Sequence, residues 1–101
     1  MAEGDSYASG NWVVKEGNED QFLSRWTEFL NWTRGNAQRF QEANLLRDRS
    51  DPRHFVSFAR WEDDAAQEAW RALPEFPEKL GACRELCDEF RGGAFTGAVS
   101  V

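Results

Sequence analysis

Basic residues are scarce in this chain. Twelve Lys and Arg stand against eighteen Asp and Glu, for a net charge of −6. Such a balance leaves no surplus of cations to displace the counterions of a nucleic acid. It also leaves none to hold an anionic membrane surface. No run of about 18 apolar residues occurs, so no segment reads as a membrane span. The stretch from Met1 to Gly10 lacks the basic start and apolar core of a secretory signal. The expectation is an acidic, cytoplasmic protein that binds neither nucleic acid nor membrane. Metal-ligating side chains are few as well. There is one histidine, His54, and there are two cysteines, Cys83 and Cys87. Two thiols make half a zinc site and no partner pair accompanies them, so no metal site is expected. Four residues apart in a helical stretch, the cysteines share a face, where a disulfide is geometrically awkward. They read as buried, reduced thiols.

Aromatic residues are abundant. Five Trp and eight Phe in 101 residues can fill a small core, line a cavity or cover an interface. A chain of this length is one domain, residues 1–101, and buries about two-thirds of its unfolded surface. Residues 1–8 are expected to be flexible.

Tyr7 to Val14 reads as a first strand, turned by Lys15 to Gly17. Asn18, with Gln21 three residues on, marks a helix start. Phe22, Trp26, Phe29, Leu30 and Thr33 recur at helical steps, and Gly35-Asn36 stops them. Phe40 to Asp48 is a second strand, the Pro52 region a polar turn, and His54 to Glu62 a third strand. Along the third strand, Phe55, Ser57, Ala59 and Trp61 point one way, and His54, Val56, Phe58 and Arg60 the other. Both sets hold large apolar groups, so both sheet faces are expected to be covered. Asp64 with Gln67 starts a second helix through Trp70 and Leu73. Pro74 restarts a turn, and Phe76, Leu80, Cys83, Leu86, Cys87 and Phe90 extend an apolar helical stripe. Gly92-Gly93 ends it, and Ala94 to Val101 is a last strand. This order predicts an α+β fold, the ferredoxin-like split βαβ with a four-stranded antiparallel sheet. The apolar second face of the sheet calls for a homodimer packed face to face.

Particular words carry a resemblance. They are Trp12-Val-Val-Lys-Glu-Gly-Asn-Glu-Asp-Gln-Phe22, Leu45-Leu-Arg-Asp48, Phe55-Val-Ser-Phe-Ala-Arg-Trp61, and Glu68-Ala-Trp70 ahead of Pro74-Glu-Phe76. In this order and spacing the chain resembles the antibiotic biosynthesis monooxygenase family of dimeric α+β barrels. The resemblance implies a pocket between sheet and helices. There an electron-rich quinol or anthrone-like aromatic is deprotonated and itself reduces dioxygen, with no cofactor. The protein supplies desolvation, orientation and hydrogen bonds to a developing oxyanion. Members without known activity imply an alternative, a non-catalytic small-molecule binder of the same fold. The haem-degrading branch carries an Asn on the first strand, a Trp on the second helix and an iron-ligating His about ten residues later. Here Trp70 matches the Trp, Asn11 stands near the Asn, and Leu80 occupies the His position. Leu80 speaks against haem. Phe76 stands where a Tyr would offer an oxygenase a donor, which favours the non-catalytic alternative.

The candidate catalytic residues are therefore Asn11, as a donor to ligand or oxyanion, and Trp70, as a platform for a planar ring. Phe22, Trp26, Phe76 and Leu80 are candidate pocket residues. His54 is the candidate general base, since imidazole suits proton abstraction near neutral pH. Each also has an ordinary reading. Trp70, Trp26 and Phe22 can simply fill core, Asn11 can be a satisfied strand residue, and His54 can be a surface hairpin residue. Trp12 faces opposite to Asn11, so one lines the pocket and the other faces a partner. Trp61 is assigned to packing or interface, Trp32 to an exposed or interface position, and Arg60 to pairing with an acidic residue.

Overall fold

The computed structural model describes residues 4–101. Its elements are β1 (Ser6–Val14), α1 (Glu19–Asn36), β2 (Phe40–Arg47), β3 (His54–Trp61), α2 (Asp64–Arg71), α3 (Phe76–Arg84) and β4 (Cys87–Thr96). The four strands form one antiparallel sheet in the order β2-β3-β1-β4. This is the expected ferredoxin-like arrangement, with all three helices on one face. The expected flexible start covers 1–8; Met1 to Glu3 lie outside the described residues, and Ser6 to Ala8 belong to β1.

α1 forms because its apolar residues recur at three and four. Phe22, Trp26, Phe29 and Thr33 are buried in a row facing the sheet. Asn18 precedes it but makes no side-chain cap bond. The short α2 is capped by Asp63, one residue before the expected Asp64. The Asp63 carboxylate accepts from the backbone N–H of Ala66 at 2.8 Å. Pro77, rather than Pro74, sits in the first turn of α3.

The largest departure from expectation is at the C-terminal end. The helical stripe does not run on to Phe90. α3 ends at Arg84, and Cys87 opens β4, which extends to Thr96 with Gly92 and Gly93 inside it. The cause is pairing with β1. Lys15 N–H donates to Leu86 O at 2.9 Å, and register then runs from Val14 opposite Cys87 to Ser6 opposite Thr96. The spacing of Leu86, Phe90 and Ala94 fits a helix and, less obviously, one face of a strand. The glycines expected to end a helix lie beside β1, Gly92 opposite Gly10 and Gly93 opposite Ser9. The two cysteines thus do not share a helix face.

The strand parity read from β3 holds: Phe55, Ser57, Ala59 and Trp61 are buried under the helices. On β1 the inward residues include Trp12 and Val14. The outer face is exposed in the single chain. Phe58 is 41 % exposed, Leu46 52 % and Phe95 58 %. Arg60 pairs there with Asp5 and Glu42, as expected.

Candidate functional site

Register places small residues side by side on the helix-facing side of the sheet. Ala43, Ala59, Ala8 and Ala94 form one row across the strands, and Leu45, Ser57, Gly10 and Gly92 the next. Large rings bound these rows. Trp12 faces Phe55 on one side and Phe90 on the other, with the Trp12 and Phe90 rings 4.1 Å apart. Beyond the alanines, Trp61 is fully buried and faces Phe40. A hollow is left over Ala8 and Ala59, on the near side of Trp61, because alanine cannot fill it. Gly10 cannot carry even a methyl group, since a Cβ there would sit 2.6 Å from Trp12 Nε1 and 2.7 Å from Ser57 Oγ.

The helices roof this hollow. Trp26, Phe29, Leu30 and Thr33 come from α1, Trp70 and Arg71 from α2, and Phe76 and Leu80 from α3. The cavity measures about 50 Å³. Trp70 sits at its centre of contacts. Its ring lies 4.5 Å from Trp61, 4.6 Å from Phe76 and 5.8 Å from Phe29.

The polar groups around it are few: Ser57, Thr33 and Gln67 are buried, and Arg71 is half-buried. Trp12 Nε1 donates to Ser57 Oγ at 3.0 Å, and Trp70 Nε1 donates to Thr33 Oγ1 at 3.1 Å. Arg71 donates through Nε and Nη2 to Gln67 Oε1, at 3.1 and 2.9 Å, and its guanidinium lies 5.7 Å from the Trp70 ring centre. Gln67 Nε2 donates in turn to Ser6 Oγ at 2.7 Å. Arg71 is thereby held at the cavity edge by a buried amide, itself anchored to β1. It is the charged side chain of the lining; no carboxylate or imidazole contributes.

The candidates named from sequence divide between two places. Trp70, Trp26, Phe76 and Leu80 line the cavity. Phe22 does not. It is fully buried one layer back, 5.4 Å from the Trp12 ring and 5.2 Å from Phe55. Asn11 and His54 lie on the outer face of the sheet, away from Trp70, because Trp12 takes the inward position on β1 and Phe55 the inward position on β3. There His54 Nδ1–H donates to Asp48 Oδ2 at 2.8 Å, and Nε2 meets the side-chain amide of Asn11. The bond from His54, with a backbone N–H from Ser50, holds the Asp48 carboxyl below its ordinary range. The pairing of Asn11 with Trp70 in one site, and His54 as its base, are corrected by this geometry. Of the alternatives Asn11 and Trp12, it is Trp12 that lines the cavity, and sequence reasoning missed Ser57 and Thr33 as lining. The signal was present in the small inward residues of β1 and β3 at matching parity. Trp32, expected at a surface or interface, is half-buried and stacks on Phe29 at 6.1 Å.

Among the described residues, no group of three or more His, Cys, Asp or Glu is placed to hold a metal ion. No helix there is long and apolar enough to cross a membrane. The thiols are insulated. Burial pushes Cys83 up to about 12, reinforced by the neighbouring Cys87, and pushes Cys87 up to about 11, reinforced by Asp88. Both start from an ordinary value of 9.0. Between these values the unfolded thiols ionise while the folded ones keep their protons. The unfolded state then binds fewer protons, so stability falls as pH rises from about 9 towards 12. At pH 8 the folded protein should resist alkylation by iodoacetamide and take up two labels only in denaturant. Rapid native labelling would show the thiols to be exposed.

Residues 7–79 match the family model for antibiotic biosynthesis monooxygenase. Among solved structures, SnoaB, a cofactor-independent oxygenase from Streptomyces nogalater, superposes with a TM-score of 0.85 at 24% identity, covering 99% of this chain and 98% of that one. A mutant of SnoaB gives 0.88 at 23% identity, covering 97% of each chain. A conserved protein from Methanosarcina mazei Go1 gives 0.81 at 13% identity, covering 92% of each. No curated protein matches the chain.

Proposed function

We propose that this chain, which belongs to the antibiotic biosynthesis monooxygenase family, oxidises a small electron-rich aromatic, quinol or anthrone-like, with dioxygen and without a cofactor. The observation that carries this reading is the cavity itself. Trp70, Trp26, Phe76 and Phe29 wall an apolar space over a floor of alanine and glycine, with one guanidinium at the edge. Flat aromatic walls suit a flat aromatic ligand.

The chemistry asked of the protein is modest. One anthrone-type methylene reacts with one dioxygen molecule to give one ketone carbonyl and one water. The electrons of both methylene C–H bonds pass to oxygen and the O–O bond breaks. One oxygen atom stays in the carbonyl, and the other leaves as water with the two methylene hydrogens. The substrate anion is the reductant. Arg71 favours negative charge on the substrate oxygen, which makes the methylene across the central ring, conjugated to it through the flanking rings, a stronger acid. The guanidinium has five N–H donors, so two bonds to Gln67 leave capacity for this. Trp70 orients the ring. Exclusion of water strengthens each of these interactions.

Measurement of oxygen uptake with a panel of anthrones and quinols tests the reading. Turnover above the uncatalysed rate, with ketone or quinone formed, is expected; no uptake above background overturns it. A second reading, a non-catalytic binder, is favoured by the size of the cavity and its lack of a carboxylate or imidazole. An apolar cavity of about 150 Å³ admits benzene, whereas this one measures about 50 Å³. Entry of a ring therefore requires Leu30, Leu80 and Arg71 at the rim to move outwards. Binding without turnover would select the second reading.

The chain acts as a homodimer through the outer face of its sheet in this reading, as a cytoplasmic protein. Support comes from the exposure of Phe58, Leu46 and Phe95, and from the Tyr7 hydroxyl, which is buried on that face without a hydrogen-bond partner among the described residues. A row that is apolar and exposed in the single chain is the usual mark of an interface. Phe58→Arg should convert a dimer to a monomer in light scattering at micromolar concentration. A wild-type monomer, or an unchanged dimer in the variant, would contradict this assignment.

A further inference from the structure

Three tryptophans line the cavity, and their indole N–H groups are not equivalent. Trp12 donates to Ser57 and Trp70 to Thr33. Trp26 is only 4 % exposed, and its Nε1 is buried with no hydrogen-bond partner among the described residues. A buried N–H left unbonded is destabilising by about 1–3 kcal/mol. Native proteins rarely leave one so without a reason. Here a reason is at hand, because Trp26 forms part of the cavity wall. An acceptor brought in by a ligand would complete the bond. Trp61 Nε1 is also unbonded, but Trp61 is not part of that wall, and the third orphan, the Tyr7 hydroxyl, belongs to the opposite face of the sheet.

We propose that the Trp26 indole N–H is the hydrogen-bond donor for a carbonyl or phenolate oxygen of the bound aromatic, and so selects oxygen-bearing rings over plain hydrocarbons. This rests on the reading of the cavity as the ligand site. The fold supplies the means for such a choice. Trp26 comes from α1, whereas Arg71 comes from α2. One oxygen on each side of a ring system can then be met by a different donor. An acceptor-bearing ligand gains a bond that costs the protein no competing partner. A hydrocarbon of the same shape leaves the N–H unbonded, and discrimination of this kind is stronger than that from shape alone.

The experiment compares two soluble ligands of one frame, anthraquinone-2-sulfonate with ring carbonyls and anthracene-2-sulfonate without them. In the wild-type protein labelled with 15N, the Trp26 indole resonance, identified by its loss in Trp26→Phe, should move downfield with the quinone and stay near its free position with the hydrocarbon. Trp26→Phe should weaken the quinone about tenfold, which is about 1.4 kcal/mol, and weaken the hydrocarbon far less. A Trp26 resonance indifferent to the quinone, or equal weakening of both ligands, overturns the proposal and leaves the cavity reading intact. If neither ligand binds the wild-type protein, the cavity reading fails and this inference fails with it. Should Trp26→Phe not fold, specific 15N assignment of the wild-type protein by other means still gives the first readout.

Discussion

Trp70→Ala should lower the melting temperature by more than about 10 °C and abolish ligand binding. Trp70 is 6 % exposed and packs on Trp61, Phe76 and Phe29. Truncating a buried Trp to Ala costs about 3–5 kcal/mol through lost transfer energy and the cavity left behind. In a domain of about 100 residues each kcal/mol is worth about 4–8 °C. The total stability of such a domain is about 5–15 kcal/mol, so the variant will fold marginally. Scanning calorimetry reads the effect. A shift within a few degrees would mean that α2 does not depend on this ring. Trp70→Phe separates the two roles. It keeps a ring against Trp61 but removes the donor to Thr33 Oγ1, for an expected loss of about 1–2 kcal/mol. Ligand affinity should fall with the narrower stacking surface while the fold persists.

Ala8→Leu should remove binding while sparing the fold. Ala8 lies in the middle of the small-residue rows, between Ala59 and Ala94, and lines the cavity. Three added carbons project into space that is now empty. Filling a void is tolerated better than overpacking a full core, so stability should change by less than about 2 kcal/mol. Affinity for a planar aromatic should fall more than about a hundredfold, because the ring and the leucine compete for one volume. Titration by quenching of tryptophan fluorescence measures it. Unchanged affinity in a folded Ala8→Leu protein would place the ligand elsewhere.

The fold was legible because its signals are local. Phe22, Trp26, Phe29 and Thr33 announce a helix by spacing, and the alternation on β3 assigned each side chain to its correct face. The helix-to-strand change near Cys87 was not legible. Leu80, Cys83, Leu86 and Phe90 satisfy a helical period, and only pairing with β1, more than seventy residues away in sequence, decides for a strand. Half of the site suffered from the same limit. Trp70, Trp26, Phe76 and Leu80 line the cavity, and helix faces show which residues meet the sheet. Asn11 and His54 were assigned by chemical type, and their parity carries them to the other face. The hollow itself comes from what Ala8 and Ala59 leave unfilled beneath the helices. Residues that make no contact leave little trace in a single strand read alone.

The central claim is that the ligand site lies between the helices and the sheet, against Trp70. A crystal structure of the protein soaked with anthraquinone-2-sulfonate tests it most directly. The account predicts the ring system under α1, stacked on Trp70, with Leu80 and Arg71 displaced from the rim. A ring bound instead on the outer face, beside His54 and Asn11, with the helix-side cavity still closed, would contradict it.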